Sequence, residues 1–485
     1  MTPAPGTRSP RVVVQSLAKV VGFLVMVEVA SGVLQGYYTP IYPQIAHHLA
    51  MAEGDVNWFE AAQLVLSALC VPLLARLGDL IGYQRVLLLA TAVTALGSWI
   101  LVIAPSFTTF LIGWSLQGAY VVWLPLEIAI IHRRLRGGKD RERRTRRGAA
   151  VLVGALELAV IGGALTSGQL VDQVGMGVVL ALPAIVVTAV FFVILLGIEH
   201  TPGEATGGID WTGLALITGS LGLVMAGLVV IRLRGPESWL AWLLVAAGVA
   251  SLVPFVRYEL GRAEPLVDVR LLRDPRQWPI QLTAFLFGVP VLGGQIPLST
   301  YAQADPAERG YGLGADAAFV STLIGVYVIT LAIGAFTLPL TSRLLGLRRA
   351  LIVSCLLIAL GYALWIPFHD ATWQGLVNMG IAGLGSGAVV AALPAAAAAA
   401  APENRTSFAT GMTNATKTVG GAIASSIFAI ALSADGLDLN RASAPLSGYL
   451  TVWAVCSGAA VLAALALMAA PKRAFTDLVP TTPMA

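Results

Sequence analysis

Apolar and polar positions alternate along this chain in long blocks rather than at the spacing of a surface helix. Runs of about 20 apolar residues recur from end to end, each long enough for a helix to cross a bilayer core. Short polar or Gly/Pro-bearing stretches separate them. The pattern predicts fourteen spans, near 18–38, 57–75, 86–104, 107–131, 149–170, 177–198, 211–231, 239–257, 279–300, 317–340, 349–367, 374–400, 407–432 and 448–470. An even number places both termini on the same side.

The connectors divide these spans. Residues 1–17 form a basic tail and 18–198 a first set of six helices. Residues 199–276 form a connector that holds two additional spans and a surface segment, "YELGRAEPLVDVRLLRDPR". Residues 277–470 form a second set of six, and 471–485 a final tail. The fold class expected is an all-α polytopic membrane protein. Two similar sets of helices around a midplane site are a common transporter plan.

Composition agrees: 57% of the residues are hydrophobic and 12% charged, against about 25% charged in soluble domains. The isoelectric point near 9.0 would suit a nucleic-acid binder, but the basic residues sit in short loops between spans. On one side lie 25 Lys and Arg, including nine in "RRLRGGKDRERRTRR" (133–147), and on the other only Arg232, Arg234, Arg309 and Arg441. That asymmetry puts both termini in the cytoplasm of a multi-pass protein of the cell (inner) membrane. Cys70, Cys355 and Cys456 all fall in apolar runs and read as small buried hydrophobes. No spacing suggests a metal, no cofactor is implied, and no phosphate-binding glycine loop is present. Any driving energy must therefore come from an ion gradient or from the substrate's own gradient.

Ionisable groups inside spans are costly and point to function. Glu28 lies midway through the first span, with Ser31, Gly32, Gln35 and Thr39 following at helical offsets. This polar stripe should face a water-accessible cavity. Glu28 reads either as a proton- or cation-binding carboxylate or as an acid paired for packing. Glu127 aligns with Tyr120 and Trp123, an arrangement that can hold an organic cation, although its place near the cytoplasmic end would also let it reach water. Glu157, in the small-residue run "GALELAVIGGALTSG", reads as a hydrogen bond at a helix interface or as a proton carrier. Lys417 shares a face with Thr410, Asn414 and Gly421 and would answer a carboxylate or an anionic substrate. The adjacent His47 and His48 lie in a loop and do not share a helix face.

"ARLGDLIGYQR" (75–85) resembles the loop between the second and third helices of the major facilitator superfamily. Leu77, Asp79, Gly82 and Arg85 match its pattern, while Ala75, Leu80 and Tyr83 depart from it. "IDWTGLALI" (209–217), "EPLVDVRLLRDPRQW" (264–278) and "TNATKTVGGAIASSI" (413–427) are similar to segments of its fourteen-helix drug–proton antiporter branch. The resemblance implies two six-helix bundles plus two extra helices, 14 in all, rocking about a central cavity. It implies a cytoplasmic gate of Arg76, Asp79, Gly82 and Arg85, with Asp79 accepting hydrogen bonds from a facing helix end. Two departures bear on coupling. Trp114, in "IGWSLQGAY", stands where the family usually has Arg, and "GALTSG" (163–168) has Ala164 and Ser167 where antiporters have Pro and Gly.

The function expected is a secondary transporter, not an enzyme: proton-coupled efflux of small amphipathic molecules. The alternatives are a facilitator or importer of a specific metabolite, and a non-transporting membrane scaffold or sensor. Glu28, Glu157 and Glu127 are the candidates for coupling. Gln35, Trp114, Gln117, Tyr120, Trp123, Asn414 and Lys417 are the candidates for lining the cavity. The partners implied are a small-molecule substrate, protons and the lipid bilayer, without nucleic acid, for a monomer.

Overall fold

The computed structural model describes residues 17–135, 141–200, 202–203, 207–262, 265–401, 406–433 and 444–469. The predicted tails and part of the basic 133–147 loop lie outside them. All regular structure among the described residues is helical. The first set comprises α1 (Leu17–Tyr37), α2 (Tyr42–His48), α3 (Asn57–Ile81), α4 (Tyr83–Ile103), α5 (Phe107–Gln117), α6 (Trp123–Arg134), α7 (Arg141–Leu170) and α8 (Met176–Gly197). Next come α9 (Trp211–Arg234), α10 (Trp239–Leu260) and the short α11 (Val269–Leu272). The remainder is α12 (Trp278–Gly288), α13 (Gln295–Gln303), α14 (Pro306–Arg309), α15 (Ala317–Leu345), α16 (Leu347–Leu364), α17 (Thr372–Ala399), α18 (Thr406–Ala431) and α19 (Leu446–Ala469).

Among the described residues, thirteen stretches are long and apolar enough to cross a membrane. Three of them run through a break in helical geometry: α1 into α2, α5 into α6, and α12 into α13. α18 is a 26-residue helix at the predicted thirteenth span. Its Thr, Asn and Lys positions leave it more polar than the others.

The breaks have chemical causes. Between α5 and α6 the chain tightens into a 3₁₀ turn over Gly118–Val122. Between α12 and α13 it widens into a π turn over Val289–Gly293, around Pro290. Proline has no N–H to donate and crowds the preceding turn, which disturbs the regular ladder. The Tyr362 hydroxyl donates to the Pro290 carbonyl at 2.8 Å and satisfies it within the bundle.

The turn at Gly82, between α3 and α4, has φ of 100°, and that at Gly346, between α15 and α16, has φ of 79°. Side chains other than Gly rarely tolerate this region. A single glycine in this region therefore makes the tight turn between two long helices at both places.

Buried apolar side chains form two large clusters. One is drawn from residues 20–198 with Ile296, the other from residues 271–467. The two sets meet along two seams, α3 against α18 and α7 against α15. α9 and α10 pack on each other, and α9 also touches α3 and α18. Trp58, Ala61 and Ala429, with Met225 and Leu228 of α9, form a small third cluster over that seam. The Gly82 and Gly346 turns lie at one end of the helices, the basic end, and the passage from α1 to α3 lies at the other, the far end.

Candidate functional site

Two carboxylates meet inside the first set. Glu28 of α1 and Glu127 of α6 are each 0% exposed, and the two groups are immediate neighbours. No other group among the described residues hydrogen-bonds either one. Sequence position suggests that Glu127 reaches water, and the structure corrects this. α6 runs on to Arg134, so Glu127 lies about two turns inside the helix end. A buried carboxylate without a partner is costly, and two side by side form a place where one proton can be held between oxygens. Among the described residues no three His, Cys, Asp or Glu stand together, so the pair lacks a metal-ligand set.

A third carboxylate, linked to them through Tyr120, was passed over by the sequence reading. Glu60 lies in the first turn of α3, beside Trp114, Tyr42 and Tyr120. Its position inside the predicted 57–75 span was the available signal. Tyr120 neighbours both Glu60 and Glu28, so acids and phenol form a row through the interior of the first set.

Trp114 is buried rather than lining open space. Its ring packs on Tyr38 at 4.6 Å, Phe110 at 5.7 Å, Tyr42 at 6.0 Å and Phe59 at 6.1 Å. Trp123 is also buried and meets the half-buried Tyr120 edge-on at 6.1 Å. Gln117 donates to Tyr38 Oη and to Ser98 Oγ, both at 2.9 Å, and so locks α5 to the turn just past α1 and to α4. Of the polar stripe on α1, Gln35 is exposed and bonds Ser31 Oγ at 3.2 Å. Thr39 lies past the helix end and donates to Gln295 Oε1 at 3.2 Å.

Lys417 and Glu157 form the second site. The carboxylate on α7 and the ammonium on α18 belong to different sets, and each is the charged neighbour of the other. Both are half-buried, as is Asn414 one turn before Lys417. Glu157, read from the sequence as an interface hydrogen bond or a proton carrier, has Lys417 of the other set as its charged neighbour.

The far end is where the sets are tied. Arg309 bonds Glu53 at 2.8 and 2.9 Å. Gln44 donates to Gln303 Oε1 at 2.8 Å, and Gln303 donates to the Pro40 carbonyl at 2.8 Å. Ser321 of α15 donates to the Ala164 carbonyl of α7 at 2.7 Å. Gly168 permits this seam, since a Cβ there would stand 2.2 Å from Ser321 Oγ.

At the basic end, Asp79 accepts a bond of 2.6 Å from Tyr83 in its own turn rather than from a facing helix. Arg133 lies over the Tyr83 ring at 5.8 Å and donates to the Pro202 carbonyl at 2.5 Å. Arg134 pairs with Glu199 at 2.8 Å. The turn is therefore bound to the connector that follows α8. Arg76 and Arg85 flank it on α3 and α4.

Comparison with known proteins gives this geometry a context. Residues 24–425 match the family model described as Major Facilitator Superfamily. The uridine/deoxyuridine transporter of Lactococcus lactis subsp. cremoris (strain MG1363) is 28% identical over 343 residues, covering 66% of this chain and 69% of that protein. Multidrug resistance protein Stp of Mycobacterium tuberculosis (strain CDC 1551 / Oshkosh) is 22% identical over 405 residues, covering 81% and 71%. The crystal structure of an auto-inhibited POT family peptide transporter superposes with a TM-score of 0.69 at 14% identity, over 96% of this chain and 99% of that one.

Proposed function

The chain belongs to the major facilitator superfamily and is a membrane transporter rather than an enzyme, and on that premise we propose that it exports small amphipathic molecules in exchange for protons. The observation that carries this reading is the Glu28–Glu127 pair, two buried carboxyl groups with no other hydrogen-bond partner. One proton held between them keeps α1 and α6 together. Its loss leaves two like charges in a low-dielectric interior and favours a different arrangement of those helices. Glu157 and Lys417 respond to the same motion because they sit on different sets and face one another as opposite charges. Tyr120, Gln35, Asn414 and Lys417 border the substrate path, and Trp114, Trp123 and Gln117 shape it from behind.

The architecture in this reading is two six-helix bundles, 18–198 and 277–470, with α9 and α10 as the extra pair of a fourteen-helix protein. The excess of Lys and Arg puts the basic end in the cytoplasm. The far-end ties then describe a state closed to the outside, and the turn around Asp79 is a gate that engages as the protein opens outward. The protein works as a monomer in the cell membrane.

A second reading, transport of one metabolite without proton coupling, is favoured by Trp114 in place of the family's Arg and by the similarity to a uridine/deoxyuridine transporter. Proteoliposome flux separates the two, with ethidium and uridine as probes. The exporter reading expects a pH gradient to accelerate ethidium flux at least tenfold. Glu28→Gln or Glu127→Gln should abolish the acceleration but preserve ethidium exchange at equal pH. Uridine exchange indifferent to the gradient, with no ethidium flux, would replace the first reading by the second.

A further inference from the structure

α10 is the least buried span, with 17% of its apolar window covered. Its outer face is not smooth. A groove of about 300 Å³ runs along its basic-end half, walled by Leu252, Val253, Val256 and Leu260 and closed by Arg257 and Arg273. The four apolar residues fall on one stripe of α10, and Val249, 55% exposed, continues it toward the membrane centre. Arg273 arrives from the segment that follows α11, which folds back beneath the helix.

The two arginines differ from their neighbours. Arg270 donates to the Leu260 carbonyl, and Arg262 bonds the Tyr258 hydroxyl. The acids nearby are also occupied. Asp268 caps α11, Asp274 accepts from the Arg276 N–H, and Glu259 is 2% exposed and turned toward Gly213 of α9. Arg257 and Arg273 are exposed and have no hydrogen-bond or ion-pair partner among the described residues. Two guanidinium groups without a partner among the described residues thus stand at one end of an apolar groove.

We propose that this groove is a binding site for one anionic phospholipid, its phosphate held between Arg257 and Arg273 and an acyl chain lying along Leu252, Val253, Val256 and Leu260. The ligand is a lipid rather than free phosphate because four of the six lining residues are apolar and the stripe faces the bilayer. Charge complementarity selects an anionic headgroup, and guanidinium geometry suits a phosphate diester. The site gives the extra helices a role of their own, since a lipid seated there braces the α10–α11 corner where the chain returns to α12.

The test is native mass spectrometry and thermal unfolding of the full chain in nanodiscs of phosphatidylglycerol or phosphatidylcholine. Each arginine near an anionic surface is worth roughly a fivefold affinity. The wild type should retain phosphatidylglycerol preferentially, and Arg257→Gln with Arg273→Gln should lose roughly 25-fold of that preference. Val256→Trp, which fills the groove, should lose it with both arginines intact. Arg343→Gln with Arg349→Gln, at the same end but outside the groove, should keep it. An equal loss in that control pair, no preference in the wild type, or the same stabilisation by inorganic phosphate in phosphatidylcholine would each overturn the proposal. So would a lipid-independent dimer that buries α10.

Discussion

Arg309 grips Glu53 with both terminal nitrogens, Nη1 to Oε2 at 2.8 Å and Nη2 to Oε1 at 2.9 Å, and so ties the loop before α15 to the turn before α3. Planar, two-point pairs of this kind are the stronger ion pairs. The bond to Glu53 raises the pKa of Arg309 above its ordinary range. A basic group raised on folding contributes fully at every pH below its unfolded value, so the arginine's share of the tie should persist through neutrality and fail only in strong alkali. Arg309→Gln should weaken far-end closure by about 1 kcal/mol, discounted for partial exposure. Spin labels at His48 and Glu308 would read this as a severalfold larger population of separated distances. An unchanged distribution would remove the pair from the gate.

Gly168 tests the second seam. A Cβ at this position would also lie 2.7 Å from the Ala317 carbonyl, so the clash is with backbone as well as with Ser321. Gly168→Leu should hold α7 and α15 apart at the far end and reduce transport at least tenfold. Gly168→Ala with Ser321→Ala should recover part of the loss, because the shorter side chain removes the nearest contact. Overpacking of this type costs about 1–3 kcal/mol. Transport assays alongside thermal unfolding separate a jammed protein from an unfolded one.

Glu157 and Lys417 call for a double-mutant cycle. Glu157→Gln alone leaves Lys417 without its charged neighbour, and Lys417→Gln does the converse. Each single variant should be less stable than the pair removed together, with a coupling of about 1–2 kcal/mol. Additive effects within about 0.5 kcal/mol would show that the contact does not bind α7 to α18.

Trp114→Arg restores the residue type the family usually carries, and it would be placed beside Glu60. The single variant should therefore fold, whereas Trp114→Arg with Glu60→Gln should lose about 3–5 kcal/mol more, the usual cost of an uncompensated buried charge. Expression and unfolding temperature would decide. Equal behaviour of the two variants would place the new arginine elsewhere.

The helical plan was legible because lipid forces each spanning segment to satisfy its own backbone, and the price is a run of apolar residues that any reading of the chain can see. The breaks at Gly118–Val122 and Val289–Gly293 were not legible. Hydrophobicity continues through both, and Pro290 alone does not distinguish a π turn from a kink. Glu28, Glu157 and Lys417 stood out as charges in oil. Their pairings did not, since Glu157 and Lys417 are joined by tertiary packing that periodicity cannot express. Glu60 was hidden by its place in a first turn, where an acid ordinarily serves the helix dipole. Asp79 was recognised, yet its bond to Tyr83 depends on the very position where the motif departs from its pattern.

The placement of α9 has one more consequence. It lies over the α3–α18 seam, held to the first set by the Arg232–Asp55 pair and to the second by Met225 against Ser426. A greasy molecule dissolved in the bilayer finds that flank shuttered. Among the described residues no helix covers the α7–α15 flank in this way, and its helices are 22% and 28% buried. On the proposed reading, cargo drawn from lipid is expected to enter by the α7–α15 face and to meet Glu157 before it meets Glu28.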